Sequence, residues 1–153
     1  MQAVILAGGA GTRLRPYTTI LPKSLMPIGE RAILEVIVLQ LKQCGITHLF
    51  FTVGYLGELI EAYFGNGEKW GVRIEYSREK EPLGTAGPVT LIKKLDSNFL
   101  VMNGDVLCDL NFKDLMRKHI KDNNMITICS YTKTVKIDLG VLEFVAGKLF
   151  DYI

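Results

Sequence analysis

Little in this chain suggests a cross-linked or metal-stapled scaffold. Cysteine occurs three times, at Cys44, Cys108 and Cys129, an odd count with no C-x-x-C pair. That argues against a disulfide framework or a zinc site and predicts buried free thiols in a reducing compartment. The two histidines, His48 and His119, are far apart and lack a ligand-spaced partner, so structural or surface positions are expected of them. No apolar run approaches the roughly 18 residues of a membrane helix. The N-terminus lacks the basic flank and long apolar stretch of a secretory signal. The expected place is the cytoplasm. A net charge of +2 is too small for a general nucleic-acid or membrane surface. An anionic ligand would have to be held by a few placed cations.

What is present is a core. Hydrophobic residues make up 48% of 153, enough for one ordinary domain. Val4 to Leu6 reads as a buried strand ending in glycines. Ile33, Val36, Ile37, Leu41 and Cys44 share a helical stripe stopped by Gly45. LFFTV at 49–53 is a second strand. Leu59, Ile60, Tyr63 and Phe64 mark a helix ended by Gly65-Asn66-Gly67. Val72, Ile74 and Tyr76 alternate as a third strand with a more exposed face. A helix is expected from about Thr85 to Leu95, with Pro88 in its first turn. FLVM at 99–102 is a central strand. Asn111 caps a helix carrying Leu115, Met116 and Ile120, with Asp114 near its positive end. MITICSY, VLEFV and KLFDYI read as closing strands, the last two joined at Ala146-Gly147. This alternation predicts a mostly parallel α/β sheet with a mixed C-terminal edge. Ile153 follows an apolar strand pattern directly, with no polar tail, so the chain is expected to be cut short.

In such a sheet, ligands bind beyond the carboxyl ends of the strands. Two conspicuous segments fall there, LAGGAGTRLRPYT after the first strand and NGD, Asn103-Gly104-Asp105, after FLVM. The glycines let phosphate oxygens approach main-chain amides, or else serve only a tight turn. No Lys-Ser or Lys-Thr pair directly follows the last glycine, and Leu14 stands where a dinucleotide fingerprint needs its third glycine, so an oxidoreductase reading fails. Arg13, two residues after the last glycine, can fork onto phosphate oxygens, with Arg15 close behind. Lys23, in LPKSLMPIG, is either a solvated charge or one fixed by the flanking Pro22 and Pro27. Asp105 is either a turn residue or a ligand for Mg²⁺. EKEPLGTAG, from Glu79 to Gly87, offers exposed backbone, or merely a turn, before a helix.

Together these segments resemble the sugar-1-phosphate nucleotidylyltransferases, the nucleotide-sugar pyrophosphorylases. LAGGAGTRLRPYT resembles their signature and LPKSLMPIG its continuation. EPLGTAG, NGDVL and VKIDLGVLEF follow in order, so the likeness covers essentially the whole chain. The resemblance implies a three-layer, Rossmann-like, GT-A-like sheet, of which residues 1–153 would be the N-terminal portion of a single domain. It implies that Leu6, Ala7, Gly8, Gly9, Gly11 and Thr12 line the nucleotide. Arg13 would grip the phosphates and Lys23 the reacting phosphoryl groups. Glu81 and Gly84 would lie in the loop that reads the base. Gly104 would approach the nucleotide, Asp105 would ligate Mg²⁺ and Gly140 would face the sugar.

The implied reaction joins a nucleoside triphosphate to a sugar 1-phosphate and releases pyrophosphate. EPLGTAG points to the guanylyl branch, hence GTP, with a mannose or manno-heptose phosphate as acceptor. No nucleic acid or membrane partner is implied, and a homo-oligomer is compatible with the resemblance. Family members run past residue 153, through an E-K-P segment and a second metal-binding aspartate. This chain is therefore expected to bind nucleotide weakly and to catalyse poorly by itself. The competing expectation is a non-catalytic regulatory or assembly module of the same fold, or an inactive fragment. Such modules commonly lose the loop arginine or the lysine, and both are kept here.

Overall fold

A computed structural model describes residues 1–79, 81, 83–135, 140 and 142–152. Its centre is a sheet of four parallel strands, β1 (Gln2–Ala7), β4 (His48–Val53), β5 (Arg73–Arg78) and β6 (Phe99–Asn103), in the spatial order β5-β4-β1-β6. Two short strands, β2 (Pro27–Ile28) and β3 (Arg31–Ala32), pair with each other and lead into α1 (Ile33–Gln43). The helices α2 (Gly57–Phe64) and α3 (Phe112–Lys121) follow β4 and β6. The chain runs from β1 outward to β4 and β5, then returns to the opposite side of β1 as β6. Strand order therefore reverses at β1, and a crevice opens at the carboxyl ends of β1 and β6.

The β-branched and aromatic strand residues are what bury this sheet. Ala3, Ile5, Leu49, Phe51 and Val53 are fully buried and pack with Leu34, Ile37, Val38 and Leu41 of α1 and Ile60 of α2. Val4 and Phe50, which point to the opposite face, are also buried, so the central strands are covered on both sides. Helix α1 ends as its sequence suggests. Gly45 takes φ 80°, its N–H donates to the Lys42 carbonyl, and the N–H of buried Ile46 donates to that of Leu41. The Asn111 side chain accepts from the Asp114 N–H and caps α3. Met116 is buried there and Leu115 half-buried, whereas Ile120 is exposed.

Three expectations need correction. Residues 125–131 form no strand; Met125, Ile126, Ile128 and Tyr131 are exposed, and no described strand offers them a ladder. Strands β7 (Leu142–Val145) and β8 (Lys148–Tyr152) form the expected antiparallel hairpin, with positive φ at both Ala146 and Gly147. They pair as a sheet of their own, however, and not as a mixed edge of the parallel sheet. The helix expected over 85–95 is a 3-10 turn, Gly87–Leu91, with Pro88 near its start. There the Thr90 hydroxyl donates to the Gly87 carbonyl, and β-branched Val89, Thr90 and Ile92 favour no longer helix.

The thiols are also less buried than expected. All three cysteines are free, but Cys44 and Cys108 are half-buried and Cys129 is exposed. Both histidines sit in structural networks. His48 bonds Gln2 and Glu75, and His119 bonds Asn98 and Thr127. The bond from His48, followed by the charge of Arg73, holds the Glu75 carboxyl below the usual carboxylate range. No helix among the described residues is long and apolar enough to cross a membrane.

On edge strand β5, the Tyr76 hydroxyl donates to the Gly65 carbonyl at 2.7 Å. Burial, aided by the charge of Glu61, pushes its pKa up to about 12. The folded state thus keeps this proton where the unfolded chain, titrating near pH 10, has begun to lose it. Its contribution to stability is full below about pH 10 and falls as pH rises towards 12. Urea midpoints measured across this range should decline less steeply for Tyr76→Phe than for the wild type.

Candidate nucleotide site

A cavity of about 930 Å³ occupies the crevice at the carboxyl edge of the sheet. It is assembled from the ends of strands and the loops that leave them. Leu6 and Ala7 of β1 line it, with the loop Gly8-Gly9-Ala10-Gly11 that follows them. Gly104 and Asp105, after β6, line it too, as do Glu81 and Gly84 from the loop after β5. Arg13 and Lys23 also line it.

Gly104, Gly11 and Gly84 each have their own physical reason. The Gly104 N–H donates to the Leu6 carbonyl, which extends the β1–β6 ladder by one bond. A Cβ at Gly104 would lie 3.2 Å from Ile5 Cγ2 and 3.3 Å from the Ala7 Cβ, tighter than most real contacts. Gly11 sits at φ 59°, and its carbonyl accepts from the hydroxyl of buried Thr18. That bond ties the glycine loop to the following turns, Thr12–Leu14 and Tyr17–Thr19, the first of which carries Arg13. Gly84, at φ 76°, needs a left-handed backbone that most residues avoid. Gly9 has open space where a Cβ would project.

The charged groups are unevenly matched. Lys23, in a 3-10 turn over Lys23–Leu25, reaches across to Asp105; its Nζ lies 2.5 Å from Oδ2. Arg13 is exposed, and among the described residues no carboxylate lies within ion-pair distance of it. In all, two cations face three carboxylates, those of Glu79, Glu81 and Asp105. Such a cavity is not yet suited to a triphosphate, and a divalent cation would reverse the imbalance.

The donor set fits a metal of that kind. The described residues hold no cluster of three or more potential ligands, so they build no all-protein cage. One aspartate at a strand end is what Mg²⁺ commonly takes from a protein when phosphate oxygens complete its shell.

Of the residues expected at the site, eleven meet in this cavity: Leu6, Ala7, Gly8, Gly9, Gly11, Arg13, Lys23, Glu81, Gly84, Gly104 and Asp105. Thr12 lies in the connecting turn but not on the cavity wall, and Arg15 is likewise outside it. Gly140 is exposed and does not line it; residues 136–139 and 141, in the same segment, lie outside the described residues. Sequence reasoning marks Glu79 only as the start of a loop, and Tyr55 not at all, yet both line the cavity. Glu79 follows β5 directly, and its Oε2 accepts from the Leu83 N–H. A Cβ on Gly8 would fall 2.6 Å from Glu79 Oε1, so a glycine at position 8 leaves room for that carboxylate. Tyr55 follows β4; its N–H donates to the Gly8 carbonyl and its hydroxyl to the Thr19 carbonyl. Applying the strand-end rule to every strand would have found both.

The family model for nucleotidyl transferases matches residues 2–149. The chain belongs to that family. Among nucleotidyl transferases, curated relatives include mannose-1-phosphate guanyltransferase beta-B of Xenopus laevis, 38% identical over all of this chain and 44% of that protein. The mannose-1-phosphate guanyltransferase of Aspergillus oryzae is 44% identical over 84% of this chain and 36% of its own length. The chain thus spans less than half the length of these relatives. Among solved structures, HddC from Yersinia pseudotuberculosis complexed with GMP-PN superposes with a TM-score of 0.67. It is 28% identical and covers 78% of this chain and 54% of that one. A parallel sheet with its cavity at the carboxyl edge is therefore this chain's version of the nucleotidyl transferase fold.

Proposed function

We propose that this chain is the N-terminal, nucleotide-binding portion of a single nucleotidyltransferase domain acting in the cytoplasm. The reaction is transfer of a nucleotidyl group, from GTP by preference, to a sugar 1-phosphate of the mannose or manno-heptose type. The products are a nucleoside diphosphate sugar and pyrophosphate. The observation that carries this reading is the convergence of the glycine loop, Arg13, Lys23 and Asp105 on one cavity at the carboxyl edge of the sheet. The preference for guanine and for a mannose-type acceptor rests on the names of the relatives.

The chemistry follows from charge. The sugar phosphate attacks the α-phosphorus in line, and both reactants are anions. Two unit charges about 4 Å apart cost roughly 4 kcal/mol at an effective dielectric near 20, and several such pairs meet here. The amides of Gly8, Gly9 and Gly11 receive phosphate oxygens at short range. Arg13 forks onto the triphosphate, and Lys23 faces the reacting phosphoryl group. Asp105 would hold Mg²⁺, which supplies further positive charge on the phosphates. No protein nucleophile is needed; positioning and electrostatic stabilisation carry the rate.

Titrating GTP, dTTP, UTP and CTP in the presence of Mg²⁺ tests the reading directly. GTP should bind most tightly, and a longer form of the protein should release pyrophosphate with mannose 1-phosphate. Binding of none of the four would overturn the assignment.

A further inference from the structure

We propose that Asp105 holds the charge of Lys23 in reserve and yields it when a divalent cation takes the carboxylate. On this view the metal ion and the lysine come to the triphosphate together. The inference rests on the nucleotide-binding reading above and gives Asp105 a second role, as the positioning residue of Lys23.

Three observations support it. The Lys23–Asp105 ion pair, at 2.5 Å, joins two cavity-lining residues 82 apart in sequence. Both side chains are about a third exposed, so each can be reached by a ligand entering there. Arg13, by contrast, has no such carboxylate among the described residues. The two cations of the cavity are thus in different states, one ready for phosphate and one neutralised.

Electrostatics sets the direction of change. An ammonium and a divalent cation repel each other and compete for the same carboxylate. A metal ion on Asp105 therefore weakens the hold on Lys23 just as phosphate oxygens offer it a new partner. With no metal bound, the ion pair persists and Lys23 adds little to nucleotide affinity. Fixed, independent contacts would instead make the lysine's contribution the same in either condition.

The test measures the affinity of a fluorescent GTP analogue, without reference to turnover, in Mn²⁺ and in EDTA. Lys23→Met should weaken binding about tenfold in Mn²⁺, the scale of a lost charged hydrogen bond. In EDTA the loss should be less than about twofold, as for an exposed pair that contributes little. In an Asp105→Asn background, Lys23→Met should again cost about tenfold in EDTA, because the lysine is no longer neutralised. Equal costs of Lys23→Met in Mn²⁺ and EDTA, with no change in the Asp105→Asn background, would overturn the exchange and leave the nucleotide reading standing. If the wild-type chain binds the analogue in neither condition, the nucleotide reading fails and the exchange fails with it.

Discussion

Replacing Lys23 by alanine is expected to lower pyrophosphate formation by about 10²–10³-fold in a catalytically complete form of the protein. That is the usual loss when one fixed donor to developing charge is removed. Stability should hardly change. The Lys23–Asp105 pair is partly exposed on both sides, and pairs of this kind contribute about 0–1 kcal/mol or less. Asp105, left without its partner, remains open to water. Steady-state kinetics beside a thermal melt checks both halves. Near-normal turnover in the variant would remove Lys23 from the machinery; a large loss of stability would make it a structural residue.

The second large effect concerns the loop. Gly11→Ala should destabilise the chain by about 2 kcal/mol and weaken nucleotide binding at least about tenfold. Its φ of 59° is costly for alanine, and the added Cβ would meet Thr18 Cγ2 at 2.9 Å and Lys23 Cβ at 3.3 Å. Thr18 is buried and bonded to the Gly11 carbonyl, so it cannot withdraw without releasing the loop. Gly9→Ala is the informative contrast. No atom lies within 4 Å of its Cβ position, so stability should be unchanged. Any loss of nucleotide affinity in Gly9→Ala then reports the space that the ligand itself requires. Denaturant midpoints and binding isotherms for the two variants separate the structural glycine from the ligand-facing one.

Much of this was legible because the informative signals are local. The β1 and β4 segments are short apolar runs that stop at glycine, and Gly45 and Asn111 mark helix ends through their own backbone or side chain. Gly8, Arg13, Lys23 and Asp105 stood out because they sit at strand ends or in short stiff segments. What stayed hidden depends on partners distant in sequence. Ile126 and Ile128 have strand-like chemistry, but a strand needs a neighbour to pair with, and sequence does not say whether one is there. The position of Glu79 against Gly8 joins two loops about seventy residues apart, an approach that no local pattern encodes. The pairing of Lys23 with Asp105 is of the same kind. Each residue was individually recognisable, yet their mutual neutralisation depends on tertiary geometry.

The most direct test of the whole is amide chemical-shift mapping as a non-hydrolysable GTP analogue and Mg²⁺ are added to the chain. Saturable shifts should concentrate at Gly8, Gly9, Gly11, Arg13, Gly84, Gly104 and Asp105, around the carboxyl edge of the sheet. Shifts confined to another surface, or none at ligand excess, would contradict a triphosphate site in that crevice.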